Sequence, residues 1–210
     1  MLPDESSRVL ICLFALASIF EAVLETLAFA VVIVDGRGHV HFANRAARTL
    51  FQSGTQLTSL RGLLQATAPA AAEALASAID QAARAEWPTP TNAIPLSGPD
   101  CEPAIAHVAP LRDASQQGFA AVFVTSTRSV PAPPFDAIAA LYELTPAETR
   151  VMSAIASGKN RAAAAAAMGI ADSTAKTHLA RVFAKTRTSE QAELTKLAMA
   201  LSPPVITTDG

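Results

Sequence analysis

Residues 144–186 read LTPAETRVMSAIASGKNRAAAAAAMGIADSTAKTHLARVFAKT. The segment opens with the chemistry of a helix start. Thr145 caps the first free N–H groups, Pro146 suits the first helical position, and Glu148 completes a reciprocal capping box. Val151, Met152 and Ile155 then mark one apolar face, and Gly158 stops the helix. A second, short helix is expected over about 161–168, ended by a tight turn at Gly169. A third begins at Asp172 or Ser173, where a carboxylate meets the positive end of the helix. A short helix, a turn containing glycine and a longer helix make a helix-turn-helix.

At about 100° per residue, Ala175, Leu179, Val182 and Phe183 share one face of the third helix. The opposite face carries Ser173, Lys176, Thr177, Ala180, Arg181 and Ala184, which are basic or small, with no carboxylate. Such a face fits the major groove, where short side chains let the backbone approach and a lysine reaches guanine acceptors. Thr177 offers a methyl to thymine or a hydroxyl to a base edge or phosphate. Lys185, Arg187, Lys159 and Arg161 flank the face and suit phosphates. A solvated helix face is the competing reading of these cations.

The charge distribution agrees. The whole chain of 210 residues has a net charge of −2, which excludes a nucleic-acid binder that is basic throughout. Residues 1–143 hold 8 Arg, no Lys and 13 acidic residues, a net of −5; residues 144–210 hold 4 Lys, 4 Arg and 5 acidic residues, a net of +3. A change of sign across a boundary suggests two segments with two jobs. The boundary is visible where Pro131, Pro133 and Pro134 fall within four residues, because missing N–H donors and fixed φ angles stop both helix and central strand. Half of the chain is hydrophobic, yet 46 of about 105 such residues are alanine, which bury little area each. Helix-rich, small-cored domains follow. Expected boundaries are 1–19 for an apolar interface helix, 20–126 for a first domain and 127–143 for a proline-rich linker with a connecting helix. The helix-turn-helix domain takes 144–201, and 202–210 form a fraying tail.

The first segment mixes periods. Residues 30–34 (AVVIV) are a β-branched run, 35–38 (DGRG) are turn chemistry, and 39–43 (HVHFA) alternate, which together predict a hairpin. Helical spacing returns at 44–51, and a longer helix follows Pro69 over about 70–85, ended by Trp87-Pro88. Strand-like runs at 91–96, 104–111 and 118–125 close the segment. The fold class is therefore α+β: an antiparallel sheet with helices on one face, then an all-α helix-turn-helix domain of four helices.

The stretch 31–47, VVIVDGRGHVHFANRAA, resembles a PAS domain, in which a hairpin leads into an Asn that opens the next helix, here Asn44. The resemblance covers roughly residues 20–126 and implies a sensory or dimerising module. Residues 144–194 resemble the LuxR-type helix-turn-helix output domain. The matching pieces are LTPAE (144–148), Gly158, MGI (168–170), STAKTHLARVFAKT (173–186) and QAEL (191–194). By this resemblance Lys176 and Thr177 take base-reading positions, and Thr174 and Arg181 contact the DNA backbone. The last helix, about 189–201, corresponds to the family's dimerising helix, with Leu194, Leu197 and Leu201 on one stripe. Three departures stand out. Ala163 and Ala164 replace a usual Glu and Ile in the scaffold helix, and Arg187 stands where a turn glycine is frequent. Ala171 replaces a serine cap, a loss of about 1 kcal/mol unless Asp172 substitutes.

No cofactor is expected. The cysteine-containing helical motif of photochemical flavin domains is missing, and the helix at 70–85 has no His to hold haem. A small-molecule ligand of unassigned kind is the alternative. His39 and His41 share a strand face and with His107 offer a metal set, against the simpler reading of a solvent-facing pair. A receiver domain is excluded, because Gly36 stands where a second acid is needed and the first 143 residues lack lysine. An acyl-homoserine-lactone pocket needs several Trp and Tyr, and this segment has Trp87 alone. No nucleophile elbow, phosphate loop or ligand cluster indicates an enzyme. Cys12 and Cys101 are too few for a disulfide framework, and the apolar run 9–20 is shorter than the ~18 residues that span a bilayer. Its flanks are acidic, unlike the basic start of a signal peptide, so a cytoplasmic protein without membrane contact is expected. The expected function is sequence-specific transcription regulation by a bacterial homodimer on double-stranded DNA, with RNA polymerase as a further candidate partner. The alternative is a protein-interaction adaptor whose helix-turn-helix no longer reads DNA.

Overall fold

The computed structural model of the chain describes residues 5–84, 92–96, 102–113, 115–127 and 131–205, with side chains from position 15 onward except that of Asn92. The helix end expected at Trp87-Pro88, the connection 97–100 with Cys101, linker residues 128–130 and tail residues 206–210 lie outside the described residues. The chain divides into two compact units, Met1–Val130 with Pro204–Gly210, and Pro131–Pro203.

In the first unit the order is α1 (Glu5–Glu25), β1 (Ala30–Asp35), β2 (Val40–Ala43), α2 (Arg45–Ser53), β3 (Leu57–Leu60), β4 (Leu63–Ala66), α3 (Pro69–Arg84), β5 (Asn92–Pro95), β6 (Ala104–Arg112) and β7 (Gly118–Ser126). Five strands form one antiparallel sheet in the order β2-β1-β7-β6-β5. Register follows the period of two. Val32 pairs with Val122, which pairs with Val108, and all three point to the same buried face. Leu75, Ala78, Ile79 and Ala82 of α3 cover that face. Alanines at 30, 104, 106 and 120 keep the sheet side thin, so α3 comes close. The approach is tightest at Gly118, where an added Cβ would lie 1.7 Å from the Ala83 carbonyl oxygen.

The sequence reading omits β3 and β4. They pair as a separate hairpin around Arg61 and Gly62, both at positive φ (52° and 81°). Such a two-residue left-handed turn matches the twist of its strands. His39 stands just before β2 and forms an isolated antiparallel bridge with Leu63. Asp35 closes the preceding turn, accepting hydrogen bonds from the Arg37 and His39 backbone N–H groups, each at 2.9 Å. Pro204 and Val205, expected in a fraying tail, are paired instead: Ala28 N–H donates to the Pro204 carbonyl at 2.9 Å, and Leu27 bridges Val205.

The polar centre of this unit is Asn44, fully buried at the start of α2. Its side-chain oxygen accepts from Val31 N–H and Ala47 N–H, each at 3.0 Å. Its amide donates to the Leu24 carbonyl at 3.1 Å and the Phe29 carbonyl at 3.0 Å. One side chain thus joins the end of α1, the start of β1 and the cap of α2. Glu25 adds a fork to Arg48 (2.8 and 2.9 Å) and accepts the Arg45 N–H at 2.7 Å. The rest of α1 presents Leu16, Ile19, Phe20 and Val23 to solvent.

The second unit contains α4 (Phe135–Leu141), α5 (Pro146–Ala156), α6 (Arg161–Met168), α7 (Asp172–Thr186) and α8 (Gln191–Ala200). Its core joins Ile138, Val151, Met152, Ile155, Leu179, Val182 and Leu194 with alanines 156, 164 and 198. The connecting helix α4 therefore packs into this domain through Ile138, beside the four helices expected.

Replacing Asn44 with Ala leaves two buried N–H groups and two carbonyls without their partner. Urea unfolding followed by circular dichroism should show a loss of about 3 kcal/mol. A loss below about 1 kcal/mol would mean that water replaces the side chain.

Candidate nucleic-acid interface

The geometry of the second unit starts at the cap of α5. Thr145 N–H donates to Glu148 Oε2 at 2.9 Å, and the Glu148 N–H points back at Thr145 Oγ1 at 3.4 Å. Glu148 is 1% exposed, and a buried carboxylate needs a counter-charge. Lys185, 37 residues later near the end of α7, supplies it: Nζ lies 2.7 Å from Glu148 Oε2 and donates to the Glu143 carbonyl at 2.6 Å. Burial pushes the Glu148 carboxyl up. The Lys185 ammonium and the Thr145 donors outweigh it and hold the group below the ordinary glutamate range.

This contact gives Lys185 a role the sequence does not show. The residue is exposed at the surface, and its ammonium pairs with Glu148, which would otherwise be a lone buried charge. Thr186, buried beside it, bonds back to the Val182 carbonyl at 2.8 Å. Arg187 then ends α7 with φ 56°, a left-handed conformation that a glycine adopts with less strain.

The inward face of α7 is Ala175, Leu179 and Val182, all buried, with Phe183 partly buried. Ser173, Thr174, Lys176, Thr177, Ala180, Arg181 and Ala184 are exposed. Thr177 Oγ1 donates to the Ser173 carbonyl at 3.1 Å, which leaves its methyl and an oxygen lone pair outward. No acidic residue follows Asp172 within the helix. Lys159 is exposed in the turn before α6. His178 borders the inward face, and its Nδ1 is buried without a partner.

Arg161 is placed differently from its expectation. It does not stand free beside the recognition face. Its Nε and Nη2 reach the two Asp172 carboxylate oxygens at 2.8 and 2.9 Å, a bidentate fork between the first residues of α6 and α7. That hydrogen bond, ahead of the opposing effect of burial, holds Asp172 below the ordinary aspartate range. Asp172 does not replace the missing cap either, since Ala171 is the cap residue of α7 and no side chain bonds the first turn. Asn160 does cap α6, accepting the Ala163 N–H at 2.9 Å; an Asn three residues ahead of the alanine run is its visible signal.

The dimerisation stripe is also redistributed. Leu194 is fully buried within its own unit, Leu197 is partly buried against the same core, and Leu201 is exposed, as is Met199. Leu194 is therefore core, because the short α8 must close over α5. In the first unit, His39 Nδ1 lies 3.1 Å from Asp35 Oδ2 and His41 Nε2 3.9 Å from it. Among the described residues no group of three His, Cys, Asp or Glu side chains is arranged to hold a metal, so the His39, His41 and His107 set does not assemble. No described helix is long and apolar enough to cross a membrane.

Residues 142–198 match the family described as bacterial regulatory proteins, luxR family, and residues 18–85 match the PAS domain. The second unit is a LuxR-type domain, and the first is a PAS domain. Three solved structures are among those similar to the chain. Phage VqmA in complex with DPO is 15% identical over 89% of each chain, with a TM-score of 0.42. The Vibrio cholera VqmA–ligand–DNA complex is 18% identical over 91% of this chain and 89% of that one, with a TM-score of 0.36. The PAS domain of nitrogen regulation protein NR(II) from Vibrio parahaemolyticus is 18% identical over 50% of this chain and 95% of its own, with a TM-score of 0.30. No curated protein matches the chain.

In the LuxR-type unit, Glu148 titrates lower when folded than when unfolded. Its contribution is present above the unfolded pKa and is lost as pH falls through the folded one. Glu148→Gln should cost about 2 kcal/mol at neutral pH, and the gap from wild type should close as pH falls below the ordinary glutamate range. Thermal melts of both proteins across that range check it. A gap that stays constant with pH would show that the charge on Glu148 is not what stabilises the cap.

Proposed function

We propose that the chain is a sequence-specific DNA-binding transcription regulator. Helix α7 enters the major groove, and the PAS domain modulates its activity. The observation that carries this reading is the outer face of α7: cationic and small side chains, without a carboxylate, in a LuxR-type unit. Short residues at 180 and 184 let the backbone approach base edges, while Lys176 and Thr177 reach them. Ser173, Thr174, Arg181 and Lys159 face phosphates, while Lys185 and Arg161 are engaged in ion pairs within the unit. The partners are double-stranded DNA, a second copy of the chain and RNA polymerase, in the cytoplasm.

The homodimer reading rests on the apolar side chains left outside both cores. Leu16, Ile19, Phe20 and Val23 on α1, and Met199 and Leu201 on α8, are each more than a third exposed. Two copies read two half-sites about one helical turn apart. A docking adaptor is the second reading, favoured by an α6 whose buried residues are two alanines, Ala164 and Ala165.

Genomic DNA capture with the purified full chain, followed by sequencing, separates the two. A regulator enriches one motif with paired half-sites; an adaptor enriches none. On the enriched site, Lys176→Ala should relax base preference and cost about 1–3 kcal/mol of discrimination. Arg181→Ala should weaken all duplexes alike and lower the salt slope by about one unit. Equal affinity for enriched and shuffled duplexes at about 150 mM salt would sink the proposal.

A further inference from the structure

In most short helices that pack through aliphatic side chains, interdigitation sets the crossing angle. Helix α6 has little to interdigitate. Its buried residues are Ala164 and Ala165, and Met168 is only partly buried. The start of α7 is equally bare, because Ala171 offers no side chain to its first turn. One polar link joins the two helices among the described residues, the Arg161–Asp172 fork. Each partner is the first residue of its helix, so the fork ties the amino end of α6 to the amino end of α7.

Arg161 is also out of place for α6 considered alone. A cation at the amino end opposes the helix dipole, and the first turn of α6 carries no acid to offset it. Asp172 is its counter-charge and at the same time favours the amino end of α7. The guanidinium engages through two parallel N–H groups, so both distance and direction are specified.

We propose that Arg161 and Asp172 are positioning residues of the helix-turn-helix, and that their fork aims the recognition face of α7 in place of apolar packing. The proposal rests on the DNA-binding reading for its functional consequence, though not for the geometry itself. Arg161 acts through Asp172 on α7 and is not a phosphate contact.

Three variants of the full chain separate these roles: D172N, R161K and the charge-swapped pair R161D/D172R. The readout is the affinity ratio between the captured DNA site and a shuffled duplex. Hydrogen exchange at the Thr174 and Ala175 amides, which bond the Ala171 carbonyl, is followed alongside. D172N and R161K should each lower the ratio about fivefold and speed exchange of both amides, and the swapped pair should restore both readouts to near wild type. R161K is the sharpest case, since lysine keeps the charge and loses the fork. The proposal is overturned if R161K keeps the wild-type ratio and exchange, or if D172N tightens binding to both duplexes with the ratio unchanged. Failure of the wild-type chain to enrich any site would instead reject DNA reading. Exchange alone then decides whether the fork orders α7, and unchanged protection in D172N overturns it.

Discussion

Burying a carboxylate to 1% exposure is costly unless it is paired, and Glu148 Oε2 accepts from two partners far apart in the chain. The Thr145 N–H ties it to the start of α5, and the Lys185 ammonium ties it to the last turn of α7. Because Lys185 also donates to the Glu143 carbonyl, the chain entering α5 is held by the same cation. Helix α7 cannot slide along α5 without breaking a charged hydrogen bond to a buried carboxylate. This constraint holds the last turn of α7 against the start of α5.

The PAS unit answers the same physical problem with neutral chemistry. Its sheet and α3 meet through alanines and valines that bury modest area, so packing alone leaves the junctions between elements weakly specified. Asn44 supplies the missing direction by satisfying two donors and two acceptors from three separate segments. In both units a buried polar side chain that bonds to separate segments defines geometry that small apolar residues leave soft. The alanine excess and the polar junctions are two sides of one design.

Much of the candidate site was legible because its signals are local. The Thr145–Glu148 box, the Gly169 stop and the three-to-four spacing of Ala175, Leu179 and Val182 each lie within a turn or two of helix. The hairpin at 30–43 was legible for the same reason, through alternation around a glycine turn. The β3–β4 hairpin was missed although Arg61-Gly62 marks it, since four-residue strands give alternation too little length. Leu194 illustrates the opposite failure. A leucine stripe on a helix reads alike whether it meets its own core or a second copy, and only the position of α5 decides.

The order of residues by itself determined the helix-turn-helix, the placement of its outward face and the α+β order of the first unit, because caps, turns and periodicity act over a few residues. Tertiary structure alone decided which cations are engaged in ion pairs within the LuxR-type unit. Lys185 and Arg161 sit beside Lys176 and Arg181 in any reading of charge along the chain. Glu148 lies 37 residues from Lys185, and Asp172 lies 11 from Arg161 across a turn. Ion pairs form between groups that packing brings within about 3 Å, and no local rule of spacing anticipates such meetings.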